Sequence, residues 1–145
     1  RLILLEILGI ENTIFEVGER IYIGKDGRSN VQSVLGKMAY EKISISAQNE
    51  IPAIVQLIVT KNEKRFVDYL NNAQPLTPRL HALELIPGIG KTYLNVLLQE
   101  REKKPFESYD DIKRRTRLKE PIKHLAKRIL EEILGETRIN IFVKR

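Results

Sequence analysis

The chain has 145 residues, 42% hydrophobic and 30% charged, enough for one ordinary domain or two small ones with a polar surface to spare. It has no cysteine, which excludes disulfides, thiolate zinc sites and a cysteine nucleophile, and no apolar run approaches the roughly 20 residues of a membrane span. The charge is +6 and uneven: residues 1–76 hold 9 basic and 9 acidic side chains, residues 77–145 hold 16 and 10, so the whole excess that would draw a polyanion lies in the second half.

Nineteen isoleucines, a single methionine and abundant Lys, Arg and Glu lean towards a thermophile. No signal or transit segment is read, a cytoplasmic location is expected, and the Arg at position 1 predicts residues before it.

In chain order, the first 40 residues read as β. Leu2 to Leu8 is apolar enough for a strand, Gly18-Glu19 is a turn, and Arg20 to Ile23 alternates with period two. Asp26-Gly27 is a hairpin-turn signal. Val31 to Tyr40 resumes the strand pattern, with Gly36 at a bulge position. From residue 44 the period becomes helical: Pro52 suits a first helical turn, Ile54, Leu57 and Ile58 share a face, and Asn62 is placed to cap a short helix carrying Phe66 and Leu70. Asn71 to Pro75 reads as a linker.

The second half predicts four helices. The first runs from Thr77-Pro78 to Ile86 and is stopped by Pro87-Gly88-Ile89-Gly90; the second runs from about Lys91 to Glu102. Ser108-Tyr109-Asp110-Asp111 is a capping pattern for the third, and Pro121 opens the fourth. In the fourth, Ile122, Leu125, Ala126, Ile129 and Ile133 make an apolar stripe, and the pairs Lys127/Glu131 and Arg128/Glu132 are expected on the solvated side. Gly135 is a natural C-cap, and Arg138 to Val143 alternates like a strand that needs a partner in the N-terminal sheet. The expected fold class is α+β. Residues 1–76 form an OB-like β-barrel with two short helices, 77–135 a four-helix tandem bundle, and 136–145 a strand returning to the barrel.

The segment Leu83 to Lys91 carries the clearest chemistry. Pro87 ends a helix, while Gly88 and Gly90 permit close approach of a ligand to the backbone. The following helix starts with free N–H groups at the positive end of its dipole, which suits a phosphate oxygen, and Lys91 adds charge. Backbone amides do not read bases, so such binding is largely independent of sequence. Lys113, Arg114, Arg115, Arg117 and Lys119 form a second basic candidate where the later helix pair turns. Tyr22, Lys25 and Arg28 are secondary candidates, suited to stacking and charge on a barrel.

The run Pro87-Gly88-Ile89-Gly90 after apolar residues resembles the hairpin of the helix-hairpin-helix family over about residues 77–134. That resemblance implies sequence-independent nucleic-acid binding through Gly88, Ile89, Gly90 and Lys91. The second turn lacks Gly-x-Gly, a departure from the family pattern in which side-chain charge would replace backbone amides. Gly18 to Lys25, Pro87 to Lys91 and Phe106 to Lys113, continuing to Ile133, together resemble an uncharacterised archaeal domain-of-unknown-function family (DUF655).

Nothing in the pattern points to catalysis. Asp110 and Asp111 lie at the spacing of a glycosylase aspartate, but equally in the first turn of a helix, where acids are favoured; half the chain is β rather than the larger helical body a flipped base needs. His81 and His124 lack the acids of a metal site. A non-catalytic binder of DNA or RNA, with no cofactor, no metal and no membrane, is expected. The rival is a protein-interaction adaptor in a translation or transcription assembly.

Overall fold

A computed structural model describes residues 2–144; Arg1 and Arg145, the last residue of the expected C-terminal strand, lie outside the described residues. The chain is mixed α+β, with five α-helices and two separate two-stranded antiparallel sheets among the described residues. It divides into two compact units, Arg1–Ile54 with Glu132–Arg145, and Val55–Glu131.

In the first unit β1 (Leu5–Gly9) pairs with β2 (Val31–Lys37). Gly36 has φ +137°, and the register passes from Glu6↔Gly36 to Ile7↔Val34, leaving Leu35 bulged where the glycine permits it. No closed barrel is found among the described residues. The expected strand at 20–23 does not form. Instead the Tyr22 side chain folds back over Gly24 and Gly27, where a Cβ would collide with its phenol. The chain turns there, with the N–H groups of Gly27 and Arg28 both donating to the Gly24 carbonyl.

Helix α1 spans Ile45–Lys61 and begins seven residues before Pro52, not at it. Ser44 Oγ accepts the Ala47 N–H at 3.2 Å and supplies the cap. Helix α2 (Glu63–Asn72) buries Phe66, Val67 and Leu70; Asn62 precedes it but turns its side chain back to the Ile58 carbonyl at 2.7 Å.

The expected helix at 77–86 is replaced. β3 (Pro75–Thr77) and β4 (Leu80–His81) form a tight hairpin, followed by a 3-10 turn at Ala82–Leu85. Thr77 Oγ1 accepts the Arg79 N–H at 3.2 Å, a bond that serves a helix cap and a tight turn alike; here the chain turns back, and Leu80–His81 pairs with Pro75–Thr77 in place of a first helical turn. Three helices follow, α3 (Lys91–Lys103), α4 (Tyr109–Thr116) and α5 (Pro121–Leu134). Ser108 caps α4 as expected, accepting the Asp111 N–H at 3.0 Å.

The larger core is that of the second unit, where Val59, Leu83, Leu97, Ile112 and Ile129 are all fully buried or nearly so. Tyr109 is anchored inside it by donating to the Val59 carbonyl at 2.6 Å, and burial, aided by the Glu63 charge, pushes its phenol well above the ordinary value.

The C-terminal segment is tethered by a parallel bridge between Leu2 and Val143, with N–H···O distances of 2.7 and 2.6 Å. Its second anchor corrects the expected surface pairing of Arg128 with Glu132, for both side chains are buried. Arg128 donates to the Leu85 carbonyl at 3.1 Å. Glu132, with no exposed surface, accepts the backbone N–H groups of Ile141, Phe142 and Val143 at 2.9–3.0 Å.

Candidate nucleic-acid interface

All of the excess charge belongs to the second unit: Val55–Glu131 contains 16 basic and 10 acidic residues, the remainder 9 and 9. The turn at 86–91 lies in this unit, and its glycines have different reasons for being glycine.

Gly88 has φ +91°, and a Cβ there would collide with the His124 ring. His124 Nδ1 is 2.8 Å from the Pro87 carbonyl; since a carbonyl only accepts, Nδ1 carries the proton. Backbone conformation and the packed ring of α5 therefore account for Gly88. Ile89 is buried, and its N–H closes the turn on the Ile86 carbonyl at 3.1 Å, so its side chain anchors the turn in the core.

Gly90 is different. It is the N-cap of α3, with ordinary φ and ψ of −87° and −171°, and it is exposed. Among the described residues a Cβ there would meet nothing within 4 Å, and no side chain caps the helix. The first-turn amides of Lys91, Thr92 and Tyr93 have no acceptor among the described residues, which is the open, positively polarised helix end that suits an anion. Lys91 stands beside it, 68% exposed, but its ammonium is shared with Glu84 Oε1 at 2.7 Å and the Arg79 carbonyl at 3.3 Å. The His81 N–H, and then Lys91, hold the Glu84 carboxyl below its ordinary value.

Behind this turn the chain forms a capping box that sequence pattern did not reveal. The His81 N–H donates to Glu84 Oε2 at 2.7 Å, and His81 Nδ1 accepts the Leu83 N–H at 3.1 Å. Nδ1 is thus unprotonated, and Nε2 is buried without a partner among the described residues. Burial, then the Arg101 charge, hold the His81 pKa below the ordinary imidazole value, against the Glu84 charge. A base whose folded pKa is depressed stabilises the fold fully above its unfolded pKa of about 6.5 and loses that contribution as pH falls below it. His81→Asn keeps an acceptor for the Leu83 N–H but does not titrate. Thermal unfolding from pH 8 to 5 is expected to fall more steeply for the native chain than for this variant; parallel curves would contradict the assignment.

The second turn, 117–120, mimics the first in outline. Arg117 takes φ +60° where the first turn has Gly88, and the next residue, Leu118, is buried like Ile89. Its helix end is much less suited to an anion, because Pro121 has no N–H and Glu120, at φ +55°, places an acid there, paired with Lys123 at 2.9 Å. Lys113, Arg114, Arg117 and Lys119 are exposed, Arg114 with an ion pair to Asp111 at 3.2 Å.

Arg115 sits differently from its neighbours. It is 18% exposed, donates to the carbonyls of Glu100, Lys104 and Pro105, pairs with Asp111 at 3.0 Å and lies 4.7 Å over the Phe106 ring. It ties α4 to the end of α3, a role whose only sequence signal is the i, i+4 spacing from Asp111. Asp111 also accepts the Glu107 N–H at 3.1 Å, which occupies the carboxylate considered above for glycosylase chemistry.

In the first unit, Tyr22 is 62% exposed and Lys25 is exposed at the same turn; Arg28 braces that turn by donating to the carbonyls of Gly24 and Gln32 at 3.5 and 3.2 Å. Among the described residues no three or more His, Asp or Glu side chains are grouped to hold a metal ion, and no helix is long and apolar enough to cross a membrane.

A family model described as protein of unknown function (DUF655) matches residues 1–144. An uncharacterized protein of Methanocaldococcus jannaschii, MJ0038, is 38% identical over 144 residues, 98% of this chain and 66% of that protein, so the chain spans slightly under two thirds of the relative's length. The crystal structure of Af1531 from Archaeoglobus fulgidus, described as family-model DUF655, is similar with a TM-score of 0.82 at 34% identity, covering 95% of this chain and 78% of the other. The chain belongs to the DUF655 family.

Proposed function

We propose that this member of the family binds the phosphodiester backbone of DNA or RNA, largely without reading sequence and without catalysis, through a helix-hairpin-helix type of turn at Gly88 to Lys91. One observation carries this most directly: the uncapped N-terminus of α3 opens at Gly90, with bare space where a side chain would stand. A phosphate oxygen placed there would accept the free amides and meet the helix dipole. The net +6 of the same unit would supply long-range attraction.

Within the basic loop, the side chains suited to reach phosphate are Lys113, Arg114, Arg117 and Lys119. Arg115 is left out because its donors are engaged inside the chain. Arg117→Asn keeps a residue that tolerates left-handed backbone; combined with Lys119→Gln it is expected to flatten the log–log salt dependence of binding by about 2. Arg115→Gln is expected to lower the melting temperature while leaving that slope in place. The decisive measurement compares double-stranded DNA, single-stranded DNA and structured RNA at two salt concentrations. Steep weakening with salt supports the proposal; an interaction found instead with a protein partner, and insensitive to salt, supports the adaptor role.

A further inference from the structure

Two-stranded sheets are marginal in water without further strands or a packed face, and β1–β2 has only these two strands among the described residues. Its two edges are not equivalent. Both register shifts skip a residue of β2, Leu35 and Gln32, so β2 is bulged twice while β1 runs regularly. Bulges blunt an edge against pairing, and a regular edge invites it.

Strand β1 points alternate residues to opposite edges. The Leu4 carbonyl accepts from Met38, and the Ile10 N–H donates to Asn30, so even-numbered residues face β2. The N–H and C=O groups of Leu5, Ile7 and Gly9 then point to the other edge, where no strand pairs with them among the described residues. The bridge to Val143 engages Leu2 alone, outside β1. Apolar surface gathers here as well. Within and beside β1, Leu8 is 45% exposed, Ile10 43% and Ile3 40%.

We propose that the free edge of β1 receives an additional extended strand with apolar residues at alternate positions, and that the residues by which the longer relatives exceed the matched stretch supply it. MJ0038 is covered to 66% and the Af1531 chain to 78%, so each carries residues beyond the match. Main-chain hydrogen bonds to Leu5, Ile7 and Gly9 would seat that strand, and alternate side chains would cover Leu8 and Ile10.

The test is amide hydrogen exchange in this chain, alone and joined through a flexible linker to each unmatched segment of MJ0038, with full-length MJ0038 as a second measurement. Leu5, Ile7 and Gly9 are expected to exchange rapidly in the chain alone. They should slow at least about 100-fold in one fusion, and their counterparts should be protected in full-length MJ0038, while the Leu8 amide, already facing β2, changes little. Leu8→Glu should reduce the protection gained in the fusion. Unchanged exchange in every fusion together with unprotected counterparts in MJ0038 would overturn the proposal. So would concentration-dependent protection in the chain alone, which would assign the edge to a second copy.

Discussion

Glu132→Gln is expected to be among the most destabilising near-isosteric substitutions in the chain, costing about 2–3 kcal/mol and lowering the melting temperature by roughly 5–10 °C. Glu132 is completely buried on α5. Its Oε1 accepts the N–H groups of Phe142 and Val143, its Oε2 that of Ile141. The amide keeps the shape but has one acceptor oxygen. With that oxygen on the two-donor side, its NH2 faces the Ile141 N–H, and a donor is set against a buried donor. The loss is therefore one of polar satisfaction rather than volume. It should fall on the C-terminal segment: Val143, whose bridge to Leu2 is the segment's β pairing among the described residues, should lose hydrogen-exchange protection first. Glu131→Gln, one residue earlier and only half-buried, is the control and should cost under about 0.5 kcal/mol. Equal melting temperatures for the two variants would show that the carboxylate does not hold the segment.

The same residue shows where sequence patterning stops. Glu132 follows Arg128 at the spacing of a surface ion pair, yet it also stands seven residues after Leu125 and three after Ile129, at the edge of the apolar stripe; what patterning does not show is that backbone N–H groups nine to eleven residues ahead satisfy it there. Signals resolved within one turn of chain were legible: the Ser108 cap, the Pro121 start and the bulge at Gly36 all depend on neighbouring φ, ψ and hydrogen bonds. The expected helix at 77–86 failed because Thr77-Pro78 satisfies two local rules at once, helix cap and tight turn, and the pairing of Leu80–His81 with Pro75–Thr77 decides between them. The expected strand at 20–23 does not form, since alternation shows that a strand could have two faces but not that a neighbour exists to pair with it. At the candidate interface, the sequence singled out Gly88, Ile89, Gly90 and Lys91 as one group. Three-dimensional packing separates them, giving Gly88 to His124, Ile89 to the core, Lys91 in part to Glu84, and leaving Gly90 alone with open space beside it.

That separation makes Gly90 the position where binding and stability should move in opposite directions. Gly90→Ser places a hydroxyl where no cap exists, and an N-cap serine accepts an N–H of the first turn. The fold should gain a few tenths of a kcal/mol. The same hydrogen bond uses an amide that the phosphate would need, so the dissociation constant for a nucleic-acid duplex or strand should rise, by about tenfold if one charge-assisted bond is lost. Gly90→Val removes binding by bulk, and as a poor N-cap costs roughly 0.5–1 kcal/mol of stability. It should still fold, because φ is −87° and the new Cβ meets nothing within 4 Å. Gly88→Val, by contrast, forces a branched residue to φ +91° against the His124 ring and should impair folding itself. Melting curves and titrations on the three variants separate the roles. If Gly90→Ser binds as tightly as the native chain while melting higher, the α3 amides are not the phosphate site. The basic side chains at 113–119 would then have to account for any salt-dependent affinity without them.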